Sequence, residues 1–133
     1  MPVFPFLMFT GNASEALEFY SKHLADSSIV EMKTYGDDAA PEMKGQVERA
    51  EFEVQGLNIR VIDSPAVHDF TFTPATSFFI DCDDSETVDR LATVFSEGGS
   101  VLMPLDSYPF SERYAWVTDK FGVSWQFGLA IAG

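Results

Sequence analysis

Apolar residues recur at helical spacing in two separate segments of the chain. The first segment is "TGNASEALEFYSKHLADSS", in which Asn12 and Glu15 have the spacing of a capping box and predict where the helix begins. Its apolar positions would lie on one face of that helix: Ala13, Ala16, Leu17, Tyr20 and Leu24.

The second segment, "DDSETVDRLATVFSEGG", repeats this pattern in the second half of the chain. Asp83 is the expected N-cap with Glu86 at the third helical position, and Gly98–Gly99 is expected to end the helix in a left-handed turn. The predicted inward positions are Val88, Leu91, Ala92 and Phe95.

Strand-like runs surround both helices. "VFPFLMF" precedes the first helix, and "SIVEMKTY", "QVERAEFEV" and "LNIRVID" follow it. "ATSFFIDC" precedes the second, and "SVLMPLDSY", "RYAWVTD" and "VSWQFGLA" follow it. Gln55–Gly56 and "KFG" are the expected turns before the last strand of each half. Each half is therefore predicted to be a strand, a helix and three strands.

The two halves also align with each other residue by residue. At an offset of 71 positions Leu17 meets Val88, Tyr20 meets Leu91 and Leu24 meets Phe95. Repeats of this kind normally share one continuous core. We therefore predict an α+β fold in which two tandem βαβββ modules form a curved mixed sheet.

Residues 1–133 are predicted to form a single domain, with module one at 1–63, a connector at 64–74 and module two at 75–133. The connector reads "SPAVHDFTFTP", and its prolines favour an extended backbone. His68, Phe70 and Phe72 would then share a face, which we expect to pack against the sheet.

Charge and composition narrow the function. The net charge is −13 with only 8 Lys and Arg, which argues against nucleic acid and against an anionic membrane surface. No apolar run approaches the roughly 20 residues that span a bilayer, and the start of the chain does not resemble a signal peptide. The single cysteine, Cys82, cannot form an internal disulfide, which favours a reducing cytoplasm.

The quoted segments resemble a known superfamily. The βαβββ repeat, "EALEFY" and "TDKFGVSWQF" resemble the vicinal-oxygen-chelate superfamily of glyoxalases, ring-cleaving dioxygenases and bleomycin-resistance proteins. "PFLMFTGNASEALEFY", "IDSPAVHDFTFTP" and "LMPLDSYPFSERYAWVTDKFGVSW" are similar to its PhnB-like branch, whose members often carry the name 3-demethylubiquinone-9 3-methyltransferase-like. The resemblance implies the glyoxalase/bleomycin-resistance fold and homodimers. It does not bring an S-adenosylmethionine site, because the chain contains no Gly-x-Gly motif.

The resemblance also indicates where a divalent ion would bind in metal-using relatives. Counting from the shared motifs places the four ligand positions at Pro5, Arg60, Thr76 or Ser77, and Gln126. Only one weak ligand is present, and a cation at Arg60 would repel an ion. We therefore expect no metal and no cofactor.

Several other residues have both a chemical and a structural interpretation. "DCDD" could be a cation site, but the pattern favours a helix cap. Cys82 could be a nucleophile, but the pattern favours a small buried side chain. His23 is expected to be structural or exposed at the end of the first helix. Glu112 and Arg113 are expected to be solvated.

The candidate ligand-binding residues are Arg60, Gln126, His68, Asp63 and Trp116. Arg60 could pair with a carboxylate or phosphate, or else form an internal ion pair with Glu51, Glu53 or Asp63. Trp116, like Tyr114 and Trp125, could line an apolar pocket or pack in the core or a dimer.

Three functions remain open. The first is a protein that binds a small organic molecule in a metal-free cleft, with Arg60 and Gln126 as polar anchors. The second is an enzyme with an unassigned reaction, using His68 or Asp63. The third is a structural role in a homodimer.

Overall fold

The computed structural model describes residues 1–130, so the last three residues of predicted module two lie outside the described part. The backbone divides into two compact units, one spanning Met1–Thr71 and one that begins at Phe72. The elements of the first unit are β1 (Phe6–Phe9), α1 (Ala13–His23), β2 (Ser27–Thr34), a short 3₁₀ turn (Pro41–Met43), β3 (Val47–Val54) and β4 (Leu57–Asp63). Those of the second are β5 (Phe78–Cys82), α2 (Ser85–Ser96), β6 (Ser100–Tyr108), β7 (Ser111–Thr118) and β8 (Ser124–Leu129).

Each unit contains a four-stranded mixed sheet with the same topology. The strand order is β1-β4-β3-β2 in the first unit and β5-β8-β7-β6 in the second. The first and last strands of each unit pair in parallel, and the other pairs are antiparallel. The predicted βαβββ repeat is therefore confirmed, as two four-stranded sheets.

In the first unit, α1 covers one face of the sheet. Its buried residues Leu17 and Tyr20 lie on the face that the apolar spacing predicted, and the Tyr20 ring packs against Phe52 of β3 at 6.2 Å between centroids. On β4 the residues alternate, so that Ile59, Val61 and Asp63 are buried and Arg60 is exposed. This alternation gives the sheet one face toward the helix and one face without a helix.

The second unit is built in the same way around aromatic side chains. Phe95 of α2 makes edge-to-face contacts with Trp125 and Phe127 of β8, each at 5.2 Å between ring centroids. The helical positions that the sequence aligned between the halves are all buried: Leu17 with Val88, Tyr20 with Leu91, and Leu24 with Phe95.

The two helices begin differently from their predicted caps. Asn12 occupies the N-cap of α1 but makes no side-chain cap bond. In α2 the N-cap is Asp84 rather than Asp83, and Asp84 Oδ1 accepts from the backbone N–H and the hydroxyl of Thr87, both at 2.8 Å. The sequence alone could not separate adjacent aspartates, because either one could begin the apolar spacing.

The predicted turns are present. Gln55 and Gly56 both have positive φ, at 51° and 84°, as a tight hairpin requires, and Gly122 has φ 93° in the "KFG" turn. Gly98 has φ 74° after α2. At Gly99 an added Cβ would lie 1.9 Å from the Thr118 carbonyl oxygen, so only glycine fits there.

Within residues 1–130, neither helix has the length and apolar character needed to cross a bilayer.

Candidate functional site

Arg60 lies in the middle of a row of side chains on the helix-free face of the first sheet. The strand register aligns Phe6 of β1 with Arg60 of β4, Arg60 with Glu51 of β3, and Glu51 with Glu31 of β2. These residues border a depression of about 360 Å³. The row combines an exposed aromatic ring, a cation and two carboxylates.

The Arg60 guanidinium is held by a ring rather than by a carboxylate. Its Cζ lies 4.1 Å from the centroid of Phe4. Within the described part of the chain, no ion pair joins it to Glu51, Glu53 or Asp63. The nearby Arg49, in contrast, is paired with Glu31 at 3.2 Å. Arg60 therefore keeps its fork of N–H donors open to solvent.

Asp63 lies on the opposite face of β4 from Arg60 and is 1% exposed. Its Oδ1 accepts from the backbone N–H groups of Gly11 at 2.8 Å and Ala13 at 3.1 Å, and its Oδ2 accepts from Val47 at 2.9 Å. Asp63 thus accepts from backbone N–H groups at the start of α1, where the predicted cap Asn12 makes no side-chain bond. With three N–H donors on two oxygens, Asp63 favours a structural role over contact with a ligand.

The connector does not pack as predicted. His68 is exposed and stacks on Phe70, with ring centroids 4.8 Å apart and an angle of 26° between planes. Phe70 is itself 62% exposed, so the expectation that this face packs against the sheet is wrong for both rings. The connector is also not extended throughout, because the Val67 N–H donates to the Pro65 carbonyl oxygen at 2.8 Å across a tight turn.

In the second unit, Gln126 and Trp116 are cross-strand neighbours on the face without a helix. The Gln126 Oε1 accepts a hydrogen bond from the Tyr114 hydroxyl, and the Trp116 indole N–H donates to Ser124 Oγ at 2.8 Å. Both side chains are half-buried. Trp125, by contrast, is a core residue at 1% exposure.

The strand register corrects the positions deduced by counting along the repeat. The β1 residue beside Arg60 is Phe6 rather than Pro5, and the β5 residue beside Gln126 is Phe79 rather than Thr76 or Ser77. The helical offset of 71 does not extend to the first strands, where the halves are shifted by two further residues.

The donors at these positions do not fit a metal ion. Phe6 and Phe79 have no lone pairs, Arg60 is a cation, and the amide oxygen of Gln126 already accepts the Tyr114 proton. Among residues 1–130, no three His, Cys, Asp or Glu side chains converge on one point. No step that uses a metal is therefore derived for this chain.

Cys82 is also unsuited to nucleophilic chemistry. It is 3% exposed, and burial, followed by the charges of Asp84, Asp81 and Asp83, raises the pKa of its thiol to about 11. The thiol therefore stays protonated at neutral pH, as expected for a small buried side chain.

Two arrangements in the second unit were not predicted. Arg113, expected to be solvated, pairs with Asp89 of α2 at 2.7 Å. Tyr108 and Phe110 form an aromatic cluster with Tyr114, and burial raises the pKa of the Tyr114 hydroxyl. The segment "SYPFSERY" carries the signal for this cluster, since its rings stand on both sides of the turn between β6 and β7.

Comparison with known proteins agrees with this architecture. A family described as 3-demethylubiquinone-9 3-methyltransferase matches residues 2–128. The solved structure of a PhnB protein from Bacillus cereus, which carries the same methyltransferase description, is 42% identical and superposes with a TM-score of 0.91, covering 98% of this chain and 100% of that one.

Two further proteins extend the likeness. Protein YjdN of Escherichia coli (strain K12) is 23% identical over 140 residues, covering 97% of this chain and 95% of its own. The fosfomycin resistance protein FosX of Listeria monocytogenes is 14% identical with a TM-score of 0.60, covering 98% of this chain and 91% of that one. FosX supports the fold alone. The resemblance to the PhnB-like branch is thereby confirmed.

Proposed function

We propose a metal-free binding function for this chain, which belongs to the 3-demethylubiquinone-9 3-methyltransferase family. Its ligand is a small organic anion, and its main polar anchor is Arg60. The observation that supports this most is the exposed Arg60 guanidinium, which lies over the Phe4 ring beside a depression of about 360 Å³.

The geometry of Arg60 favours an anion. A guanidinium presents its N–H donors in a planar fork that matches a carboxylate or a phosphate. The face of the Phe4 ring contacts the Arg60 guanidinium and restrains the Arg60 side chain, so that this side chain loses less conformational entropy when a ligand binds. Glu51 is directly opposite on β3 and disfavours ligands with more than one negative charge.

The chain lacks the features of a common S-adenosylmethionine site, so the methyltransferase description of the family is not part of the proposed activity. S-adenosylmethionine sites of the common type need a glycine-rich turn after the first strand of a parallel sheet. This chain has no Gly-x-Gly motif, and each of its sheets contains one parallel pair.

The proposal is tested by a thermal-shift screen of small carboxylates, phosphates and quinone-like acids, followed by calorimetry of the hits. Arg60→Ala is expected to weaken binding about tenfold or more, the loss typical of a charge-assisted pair. Arg49→Ala makes the same charge change at another residue that borders the depression, and we expect a much smaller effect because Arg49 is paired with Glu31. Equal losses in the two variants, or no loss in Arg60→Ala, would refute the Arg60 anchor.

Within the second unit we also propose Gln126 as a ligand-binding residue, with Trp116 beside it as an apolar wall. Gln126 donates its amide N–H groups while its oxygen accepts from Tyr114. In the alternative enzyme function, His68 is the remaining acid–base candidate, because Asp63 is occupied by three backbone donors. Turnover of a hit compound that is lost in His68→Ala would favour that alternative.

We also infer a homodimer and a cytoplasmic location. Exposed apolar side chains on the strands support the dimer, including Phe6 at 58%, Phe79 at 51% and Val101 at 55%. A measured mass about twice that of one chain is expected in solution, and a monomer at micromolar concentration would contradict it. The single buried cysteine supports the compartment, which cell fractionation checks.

A further inference from the structure

A second depression, of about 500 Å³, lies entirely within the second unit. It is bordered by the turn between β6 and β7 and by the residues that follow β5 and β8. Its side chains include Asp83, Tyr108, Phe110 and Glu112. None of these residues belongs to the Arg60 site.

Aromatic rings form one side of this depression. Tyr108 and Phe110 stack with centroids 5.7 Å apart and 14° between their planes. Both rings lie nearly perpendicular to the buried Tyr114 ring, at 5.5 Å and 4.8 Å between centroids, which fixes their orientation. Phe110 is nevertheless 47% exposed, so part of an oriented aromatic ring is open to a ligand.

Two carboxylates form the charged part of the border. Asp83 and Glu112 are both exposed, and within the described part of the chain neither has a hydrogen bond or an ion pair. The described residues around the depression include no Lys or Arg. Arg113, the next residue in sequence after Glu112, pairs with Asp89 at 2.7 Å and does not neutralise them.

We propose that this depression binds an organic cation, of the alkylammonium or quaternary ammonium class, between the Tyr108–Phe110 rings and the carboxylates of Asp83 and Glu112. Ring faces attract such a cation through their negative quadrupole, and the carboxylates add a longer-range attraction. The net charge of −13 acts in the same direction.

An inorganic divalent ion suits this site less well. Calcium takes six to eight oxygen ligands and magnesium demands a regular octahedron, whereas the described residues bring two carboxylates to the border of the depression. Aromatic faces cannot replace the hydration shell of such an ion. A methylated ammonium group is weakly hydrated and gains from apolar contact, so the rings select it.

The first experiment compares choline with its uncharged isostere 3,3-dimethylbutan-1-ol, using NMR titration of the full chain. Choline is expected to bind at least about fivefold more tightly than the alcohol, since cation–π and carboxylate attraction act on choline alone. Its affinity is expected to fall when sodium chloride is raised. Equal binding of both compounds, or no choline binding, would overturn the proposal.

Variants then separate the rings from the charges. Phe110→Leu keeps apolar area but removes the ring face, and is expected to weaken choline binding about threefold to fivefold without weakening the alcohol. Glu112→Gln is expected to weaken choline binding, whereas Glu97→Gln makes the same charge change at the C-cap of α2 and is expected to leave it unchanged. Equal effects of the two glutamate variants would refute a specific site.

Calcium chloride provides the last comparison. If calcium displaces choline, and if calcium binding depends on Glu112 but not on Phe110, the depression is an inorganic cation site and the proposal is wrong. Loss of choline binding in Phe110→Leu, with a thermal midpoint and an Arg60-dependent anion affinity like those of the unchanged chain, supports it. Because the anion affinity that depends on Arg60 is measured in the same variant, loss of choline binding can be told apart from a failure of the Arg60 site.

Discussion

Asp63 and Asp119 are buried carboxylates whose surroundings favour the fold over a ligand. Asp63 accepts from Gly11, Ala13 and Val47, which joins the start of α1 to the start of β3. Asp119 Oδ1 accepts from the N–H groups of Phe121 and Val123, and its Oδ2 accepts from the Trp125 indole. At α1 the Asp63 carboxylate replaces the missing side-chain cap, and after β7 the Asp119 carboxylate reinforces a turn that also has backbone hydrogen bonds between Asp119 and Gly122 and between Asp119 and Val123.

Replacement of Asp63 is therefore expected to act on stability. Asp63→Asn exchanges one acceptor oxygen for an N–H₂ group that faces backbone donors, and should lower the free energy of unfolding by about 2–4 kcal/mol. Urea unfolding followed by circular dichroism measures this loss. Asp69→Asn, on the exposed connector, is the matched control and should change stability by less than about 0.5 kcal/mol.

The opposite pattern would restore Asp63 as a ligand-binding or catalytic candidate. A variant with unchanged stability but lost ligand affinity would mean that the carboxylate faces a ligand in solution.

Cys82 should resist alkylation in the folded protein. Because burial raises its pKa from 9.0 to about 11, the thiolate fraction at pH 8 is about one hundredfold lower than in the unfolded chain. Iodoacetamide labelling followed by mass spectrometry should be slow in buffer and fast in urea. Rapid labelling of the folded chain would contradict the buried position.

The same shift predicts a loss of stability at high pH. Between pH 9 and 11 the unfolded thiol releases its proton while the folded thiol keeps it, so stability falls as the pH rises, by up to about 2–3 kcal/mol. Cys82→Ala lacks this component, and its unfolding free energy should fall less over that range.

At the scale of an element, the start of α2 depends on Asp84 alone. Asp84→Ala removes the acceptor for both Thr87 donors and should lower the thermal midpoint by a few degrees, whereas Asp83→Ala should leave it nearly unchanged. The bonds from the Thr87 N–H and hydroxyl lower the pKa of Asp84, so the cap's contribution is present at neutral pH and is lost as the pH falls below about 3.8. Thermal unfolding of both variants at pH 7 and pH 3 measures the contribution of the cap. Equal decreases of the thermal midpoint in Asp84→Ala and Asp83→Ala at pH 7 would contradict the assignment of Asp84 as the N-cap.

The elements themselves were largely predictable from the sequence. The apolar spacing in α1 and the alternation in β4 arise because each element buries one face against a neighbouring element. Such a pattern can be read from the local sequence, and it predicts both the element and its buried face. β6 begins and ends where the run "SVLMPLDSY" does, and β4 where "LNIRVID" does. The cap of α2 was displaced by one residue because two aspartates stand together.

The candidate site was less predictable because it depends on strand register. Counting along the repeat cannot reveal that Phe6 and Phe79, rather than Pro5 and Thr76 or Ser77, stand beside Arg60 and Gln126. Asp63 was a plausible acid–base group until its partners, 16 to 52 positions away, were known. Long-range pairs of this kind leave no local pattern.

At the scale of the molecule, repulsion among like charges competes with a few ion pairs. The net charge is −13. Ion pairs within residues 1–130 include Lys33–Glu48, Lys44–Asp37, Arg49–Glu31 and Arg113–Asp89, and these four have side chains at least 37% exposed. Exposed pairs contribute about 0–1 kcal/mol each and weaken in salt, as does the repulsion.

Because the 21 acidic residues far outnumber the 8 Lys and Arg, screening should stabilise the protein. Raising sodium chloride from about 10 mM to about 0.3 M shortens the Debye length from about 30 Å to below 8 Å, and should raise the thermal midpoint by a few degrees. A triple variant, Asp38→Asn, Asp69→Asn and Glu97→Gln, removes three exposed negative charges and should show a smaller rise. A midpoint that falls with salt would mean instead that favourable ion pairs outweigh the repulsion. The excess of negative charge would then not destabilise the fold, and its role would have to be sought in ligand binding.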